Sequence, residues 1–210
     1  MSLPARLAIL DHPLARIELA ILRSTSSGTD AFRGSLNRLA GLLLMEATRH
    51  FETSEIPVTT PLRQTTGAAL ARPVVLVPIL RAGLGLLDGV LHLLPGATVA
   101  HVGIARNEAT AAPEPYYAKL PACLPEAEVV VLDPMLATGG SAVEALRQLK
   151  LAGATRLTLM TVVSCPEGLQ NAGSAHPDVR LVTGAVDEGL DSRNYIVPGL
   201  GDAGDRYFGT

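Results

Sequence analysis

Cysteine is nearly absent: Cys123 and Cys165 stand far apart and in no C-x-x-C pair. That excludes a disulfide framework and a zinc ribbon and leaves both thiols as small buried hydrophobes. Lysine is as scarce, with only Lys119 and Lys150 against 15 arginines, whose planar forks suit phosphate groups better than ammonium does. Long apolar runs are missing although 48% of residues are hydrophobic. The stretch Val74 to Leu80, fenced by Arg72 and Arg81, is too short to cross a bilayer, so no membrane association is expected. Arg6, Asp11, Arg16 and Glu18 fall where a signal peptide needs its uncharged core, which makes a cytoplasmic chain the expectation. A basic surplus is lacking too. The net charge of −3 argues against a nucleic-acid binder, because counterion release needs clustered cations. The five histidines show no ligand spacing, and no G-x-x-x-x-G-K-[ST] segment exists to support a P-loop kinase.

What remains is a chain of 210 residues with enough apolar material for one core, taken as a single domain over 1–210. Phe32, Leu36, Leu39, Leu43 and Ala47 recur at spacings of three and four, predicting a helix with one buried stripe, for which Asp30 offers a cap. Beyond Pro57 and Pro61 the pattern changes to short valine- and leucine-rich runs at 74–77, 98–104, 128–132, 156–163 and 179–182. Helix-like segments at 84–94, 141–152 and 166–175 alternate with them. Strands that read as buried on both faces, alternating with helices, predict a doubly wound α/β fold: a mostly parallel sheet with helices on both faces. Two segments break the alternation. Residues 109–125 carry four prolines and read as an exposed loop suited to act as a lid. From Asp187 to 210, glycine and aspartate crowd into a stretch without a period, a candidate C-terminal hood over a binding site.

The most informative run is Val129 to Ser141. A buried strand ends in Asp133, and the turn Thr138-Gly139-Gly140-Ser141 then opens onto an amphipathic helix. The first N–H groups of a helix have no intrahelical partner, and glycines let the backbone close around an anion. Thr138 and Ser141 add hydroxyl donors, and the helix dipole contributes on the order of 1 kcal/mol. Asp133, at the strand's carboxyl end, is placed to accept hydrogen bonds from sugar hydroxyls. Together these suit a ribose 5-phosphate; alone, the turn reads equally as a strand-to-helix connection with Ser141 as N-cap. Gly199-Leu-Gly201-Asp-Ala-Gly204 matches G-x-G-x-x-G literally, but the few residues after it leave no room for the helix and downstream acid of a dinucleotide site. A nicotinamide-dependent reductase is thus a weak competitor.

The run Leu132-Asp133-Pro-Met-Leu-Ala-Thr-Gly-Gly-Ser141 resembles the ribose-phosphate signature of the type I phosphoribosyltransferases, in the form carried by their uracil branch. Val77-Pro-Ile-Leu-Arg81-Ala-Gly-Leu-Gly85, Arg106-Asn-Glu108, Pro115-Tyr-Tyr117 with Lys119-Leu-Pro121, and the stretch Tyr195 to Gly209 resemble that branch in order and spacing. Pro134 stands where many type I enzymes have a second acid, leaving Asp133 the sole carboxylate of the loop.

The resemblance implies transfer of ribose 5-phosphate from phosphoribosyl diphosphate (PRPP) to uracil, giving uridine monophosphate and diphosphate. It implies a PRPP site formed by Arg81, Arg106, Asp133, Pro134, Met135, Leu136, Ala137, Thr138, Gly139, Gly140, Ser141 and Asp202. Asp133 and Arg106 are the catalytic candidates within it. Uracil falls to Ile196, Gly201, Asp202 and Ala203, with Tyr195 covering the pocket. Mg2+ is expected to arrive with PRPP, with no direct protein ligand, since it prefers diphosphate oxygens and water. Some members of the family are activated by guanosine triphosphate (GTP), although no second nucleotide motif is visible in this chain, and the family suggests a homo-oligomer of at least two copies. The alternative is a nucleotide-sensing regulator that uses this fold to bind RNA and retains some transferase activity.

Overall fold

The computed structural model describes residues 3–106 and 113–210. In chain order the elements are β1 (Leu7–Ile9), α1 (Pro13–Arg23), α2 (Thr29–Ala47), β2 (Thr53–Thr59), β3 (Gln64–Leu70), β4 (Val74–Leu80), α3 (Leu84–Leu93), β5 (Thr98–Val99) and β6 (His101–Arg106). There follow β7 (Pro113–Lys119), β8 (Glu128–Leu132), β9 (Met135–Leu136), α4 (Gly140–Leu151), β10 (Arg156–Ser164), α5 (Pro166–Ala175), β11 (Arg180–Val186), β12 (Gly189–Leu190), β13 (Ile196–Val197) and α6 (Ala203–Phe208).

The main sheet has the order β1-β11-β10-β8-β4-β6-β7, with β5 beside β4 and β9 beside β10. Every pairing is parallel except β6 with β7. Alternate strand residues serve opposite faces. Leu76, Val130, Leu132, Met160 and Val162 pack against α1, α2 and α3, while Val75, Val77, Val129, Val131 and Leu159 pack against α4 and α5. Both faces being covered is why these strands read as continuous apolar runs. The α2 stripe is fully buried as its period predicts, each leucine worth about 1.5–3 kcal/mol relative to exposure.

Three local expectations change. Gly28, not Asp30, is the N-cap of α2, and Asp30 lies in the first turn, where its charge favours the helix dipole. Helix α1 precedes it; Pro13 starts it and the His12 ring nitrogen accepts from Leu14 N at 3.2 Å. The proline-rich segment expected as a loop contains β7, an edge strand antiparallel to β6, a position where proline's missing donor costs no ladder bond. Residues 107–112 of that expected lid lie outside the described residues. A separate antiparallel hairpin, β2 with β3, pairs Thr53 with Leu70 through Thr59 with Gln64. Among the described residues no helix is long and apolar enough to cross a membrane.

From β4 the chain goes to β6 on one side, and its next long crossover returns to β8 on the other. The crevice outside the carboxyl ends of β4 and β8 is thus the switch point at which open α/β sheets bind ligands.

Candidate active site

Strand β8 ends at Leu132, and Asp133 follows with its N–H bonded to Met160 O at 3.1 Å. Pro134 is buried, and its carbonyl accepts from both Val162 N and Val163 N at 3.1 Å, so it braces the turn from behind and does not line the cavity. Met135 and Leu136 then run alongside Val163 and Ser164 before the chain turns into α4. Gly139 is the N-cap at φ 80°, a left-handed conformation that glycine adopts without Cβ strain. Ser141 is therefore the second residue of α4 rather than its cap. No side chain caps this helix, so its first N–H groups are left for an anion.

In front of the turn lies a cavity of about 200 Å3 lined by Arg81, Asp133 and residues 135–142. Asp133 is half-buried at its edge, and burial pushes its carboxyl up to about 7 against the weak opposing pull of Met135 N–H, 3.5 Å from Oδ1. Arg81 enters just past β4, and the Leu80–Arg81 peptide is cis. Its guanidinium is largely exposed, 3.8 Å from Asp205 Oδ1 and 5.7 Å from the centre of the Phe208 ring. Arg106 closes β6; its side chain lies outside the described residues.

A second cavity, of about 340 Å3, opens beside the first and shares Ala82, Met135 and Ala137 with it. Tyr195, Ile196, Gly201, Asp202 and Ala203 line its far wall. Asp202 caps α6, its Oδ1 accepting from Asp205 N at 2.9 Å. Asp191 Oδ1 accepts from the N–H groups of Arg193 and Tyr195, both at 2.8 Å, and so shapes the turn that presents Tyr195.

Two arginines tie this C-terminal segment to the end of α1. Arg23 bonds Asp187 through both Nη atoms at 2.6 and 2.7 Å and reaches Gly199 O at 2.8 Å, while Asp187 Oδ2 accepts from Gly199 N at 2.9 Å. Arg206 donates to the carbonyls of Leu22, Leu200 and Ser24, and its guanidinium lies 4.4 Å from the centre of the Phe32 ring. The Leu22 carbonyl lies in the last turn of α1, whose C-terminal end favours a cation, and the Ser24 carbonyl also accepts from Ser27 N at 3.3 Å.

All the expected phosphate-site residues other than Pro134, Arg106 and Asp202 line the first cavity, and the four expected uracil residues line the second. Sequence reasoning passed over Ala82, Arg193 and Asn194, which also line the second cavity. Ala82 had a signal, since it follows Arg81 at the end of a buried strand. Asn194 had none, for its positive φ of 65° is visible only in the folded turn.

The model of one protein family, described as uracil phosphoribosyltransferase, matches residues 9–210. The chain belongs to the uracil phosphoribosyltransferase family. A uracil phosphoribosyltransferase of Halalkalibacterium halodurans is 48% identical over 98% of this chain and 99% of its own length. That of Alkaliphilus oremlandii is 47% identical over the same shares. Among solved structures, the AQ2163 protein of Aquifex aeolicus superimposes with a TM-score of 0.91 at 36% identity, covering 96% of this chain and 97% of that one. An adenine phosphoribosyl transferase of Trypanosoma brucei gives a TM-score of 0.58 at 16% identity over 92% of this chain and 90% of its own, a likeness of fold. The doubly wound α/β fold expected from the alternation of strands and helices is thus the fold that this chain has and shares with these structures.

Proposed function

We propose that the protein transfers the ribose 5-phosphate unit of PRPP to uracil, releasing diphosphate and forming uridine monophosphate. The observation that carries this reading is the coincidence of a full-length family match with two cavities sharing one wall, the first at an uncapped helix start and the second against a glycine-rich C-terminal segment.

In this reading, the backbone N–H groups and hydroxyls of residues 137–141 hold the 5-phosphate. Asp133 accepts hydrogen bonds from the ribose hydroxyls, which favour its ionised form, so a carboxyl that sits near pH 7 in the free protein gives up its proton as PRPP binds. Breaking the bond to diphosphate leaves positive charge on the sugar and negative charge on the leaving group, and Arg81 and Arg106 are the cations that balance the latter. Ile196 and the backbone of Gly201, Asp202 and Ala203 match uracil's N–H between two carbonyl oxygens, which cytosine does not present. Holding donor and base across the shared wall of Ala82, Met135 and Ala137 supplies alignment, with no covalent intermediate on the protein.

The carboxylates of Asp133 and Asp202, one on each cavity, offer the hard oxygens and water-mediated contacts that Mg2+ accepts. Bound with the diphosphate, Mg2+ supplies charge neutralisation. The reading includes at least a dimer, supported by exposed Leu14, Ile17, Met45 and Leu93 on α1, α2 and α3. GTP activates some members of the family, and its place as an effector here rests on the family resemblance alone. The deciding experiment incubates the protein with Mg2+, PRPP and each nucleobase in turn. Uridine monophosphate from uracil alone is the expected product; no product, or a purine nucleotide, would overturn the reading.

A further inference from the structure

The phosphate loop is gripped from behind by α5 and its N-cap, Cys165. Asn171 Nδ2 donates to Thr138 O at 2.8 Å, and Cys165 Sγ donates to Ala137 O at 3.0 Å. Burial pushes the Cys165 thiol up, so it stays protonated and remains a donor at neutral pH. Cys165 N–H adds a bond to Leu136 O at 3.2 Å. The approach is too close for a side chain at position 168. A Cβ on Gly168 would lie 2.3 Å from Ala137 O and 2.5 Å from Leu136 O.

These bonds act on the side of the loop away from the ligand cavity, whose lining includes residues 137–141 but nothing from α5. In a planar trans peptide, the C=O of one residue and the N–H of the next point in opposite directions. Holding the Ala137 carbonyl toward α5 therefore turns the Thr138 N–H toward the cavity, and holding the Thr138 carbonyl does the same for Gly139 N–H. A rotated peptide would present a carbonyl oxygen to the phosphate instead, replacing attraction by repulsion.

We propose that Asn171, with Cys165 beside it, is a positioning residue for the reaction, fixing the 137–138 and 138–139 peptides so that their N–H groups face the donor's 5-phosphate. This rests on the phosphate-loop reading given above. Neither side chain lines the cavity, so the effect passes through backbone orientation and concerns the phosphate-bearing substrate, not the base.

The test is steady-state kinetics of Asn171→Ala with both substrates varied, together with calorimetric binding of ribose 5-phosphate to the uncomplexed protein. The expected result is a KM for PRPP raised about tenfold and ribose 5-phosphate binding weakened in parallel, the scale of one lost hydrogen bond. The KM for uracil and kcat stay within about twofold on this reasoning. Asn171→Asp, which turns a carboxylate toward the Thr138 carbonyl, gives the larger loss. If Asn171→Ala does not fold, Asn171→Ser carries the same measurement. Unchanged donor constants, or donor and uracil constants that worsen together, overturn the proposal. Thr138→Ala and Ser141→Ala are run alongside. If they raise the KM for PRPP and the Asn171 variants do not, positioning alone has failed; if they too leave it unchanged, the phosphate-loop reading falls and takes this proposal with it.

Discussion

The two halves of the candidate site are built in opposite ways. The phosphate side rests mainly on one run, Asp133 to Ser141, leading from the end of β8 into α4, and much of its chemistry comes from backbone atoms at one helix start. The base side is held by partners remote in the chain: Arg23 meets Asp187 across 164 positions, and Arg206 reaches Leu22 across 184. A local turn keeps its shape as long as strand and helix keep theirs. The base pocket depends on a tether between α1 and the C-terminal segment, whereas the loop's remote support comes only from Cys165 and Asn171, about thirty positions away.

The sharpest way to isolate the phosphate side is Asp133→Asn. Loss of the carboxylate proposed to meet the ribose hydroxyls is expected to lower kcat/KM by roughly a thousandfold, on the scale of removing one preorganised electrostatic contact. Circular dichroism and the melting temperature at pH 4, where the carboxyl is protonated in the folded protein, should stay near those of the parent, because Asn fills the same space. Near-normal turnover would remove Asp133 from the site.

The same substitution gives a pH signature. The folded-state value of Asp133, about 7, lies above the ordinary 3.8. Between those values the unfolded chain has lost the proton and the folded one keeps it, so this group's stabilising effect is whole below about pH 4 and is lost as pH rises toward 7. Urea melts should show Asp133→Asn gaining on the parent through that window and levelling off above it. The gain is capped at about 1.4 kcal/mol per unit, and less is expected because the side chain is only half-buried. A difference that stays constant from pH 4 to 8 would mean that the carboxyl is not desolvated.

The base side breaks at Arg23→Ala. Asp187 is only 8% exposed and would be left without its cation, a loss of about 3 kcal/mol for a partly buried pair. Gly199 loses its carbonyl contact at the same time. The KM for uracil is expected to rise about tenfold with the KM for PRPP little changed, the reverse of the split expected at Asn171. Equal damage to both constants would deny that the two halves are separately supported.

The contrast between contiguous and remote construction also governs what was legible in the chain. The helix stripe of α2 and the apolar strands β4, β8 and β10 declare themselves because buried faces impose a period or an unbroken run. The turn at Gly139 declares itself because strand, acid, glycines and helix follow one another directly. Helix α1 hides behind a histidine cap and exposed Leu14 and Ile17, which blur its Ala15, Leu19 and Leu22 stripe. Strand β7 hides because Pro113 and Pro115 look like loop residues until the edge position is known. The Arg23–Asp187 tether has no local signature, since neither residue differs in sequence from an ordinary surface charge.

The smallest expected effect lies where the two halves touch. Arg81 belongs to the phosphate cavity, yet its guanidinium faces Asp205 on α6 at 3.8 Å, with both side chains more than half exposed. An exposed pair of this kind contributes less than about 1 kcal/mol, so Asp205→Asn should leave the melting temperature almost unchanged. It also releases Arg81 from a competing anion. The backbone N–H of residue 205 still reaches Asp202 Oδ1, so the α6 cap survives. If Arg81 serves the diphosphate, freeing it lowers the KM for PRPP by roughly twofold at low ionic strength, and added salt erases the gain because exposed charges are screened. A raised KM for PRPP would instead assign Asp205 a supporting role in holding Arg81 toward the donor.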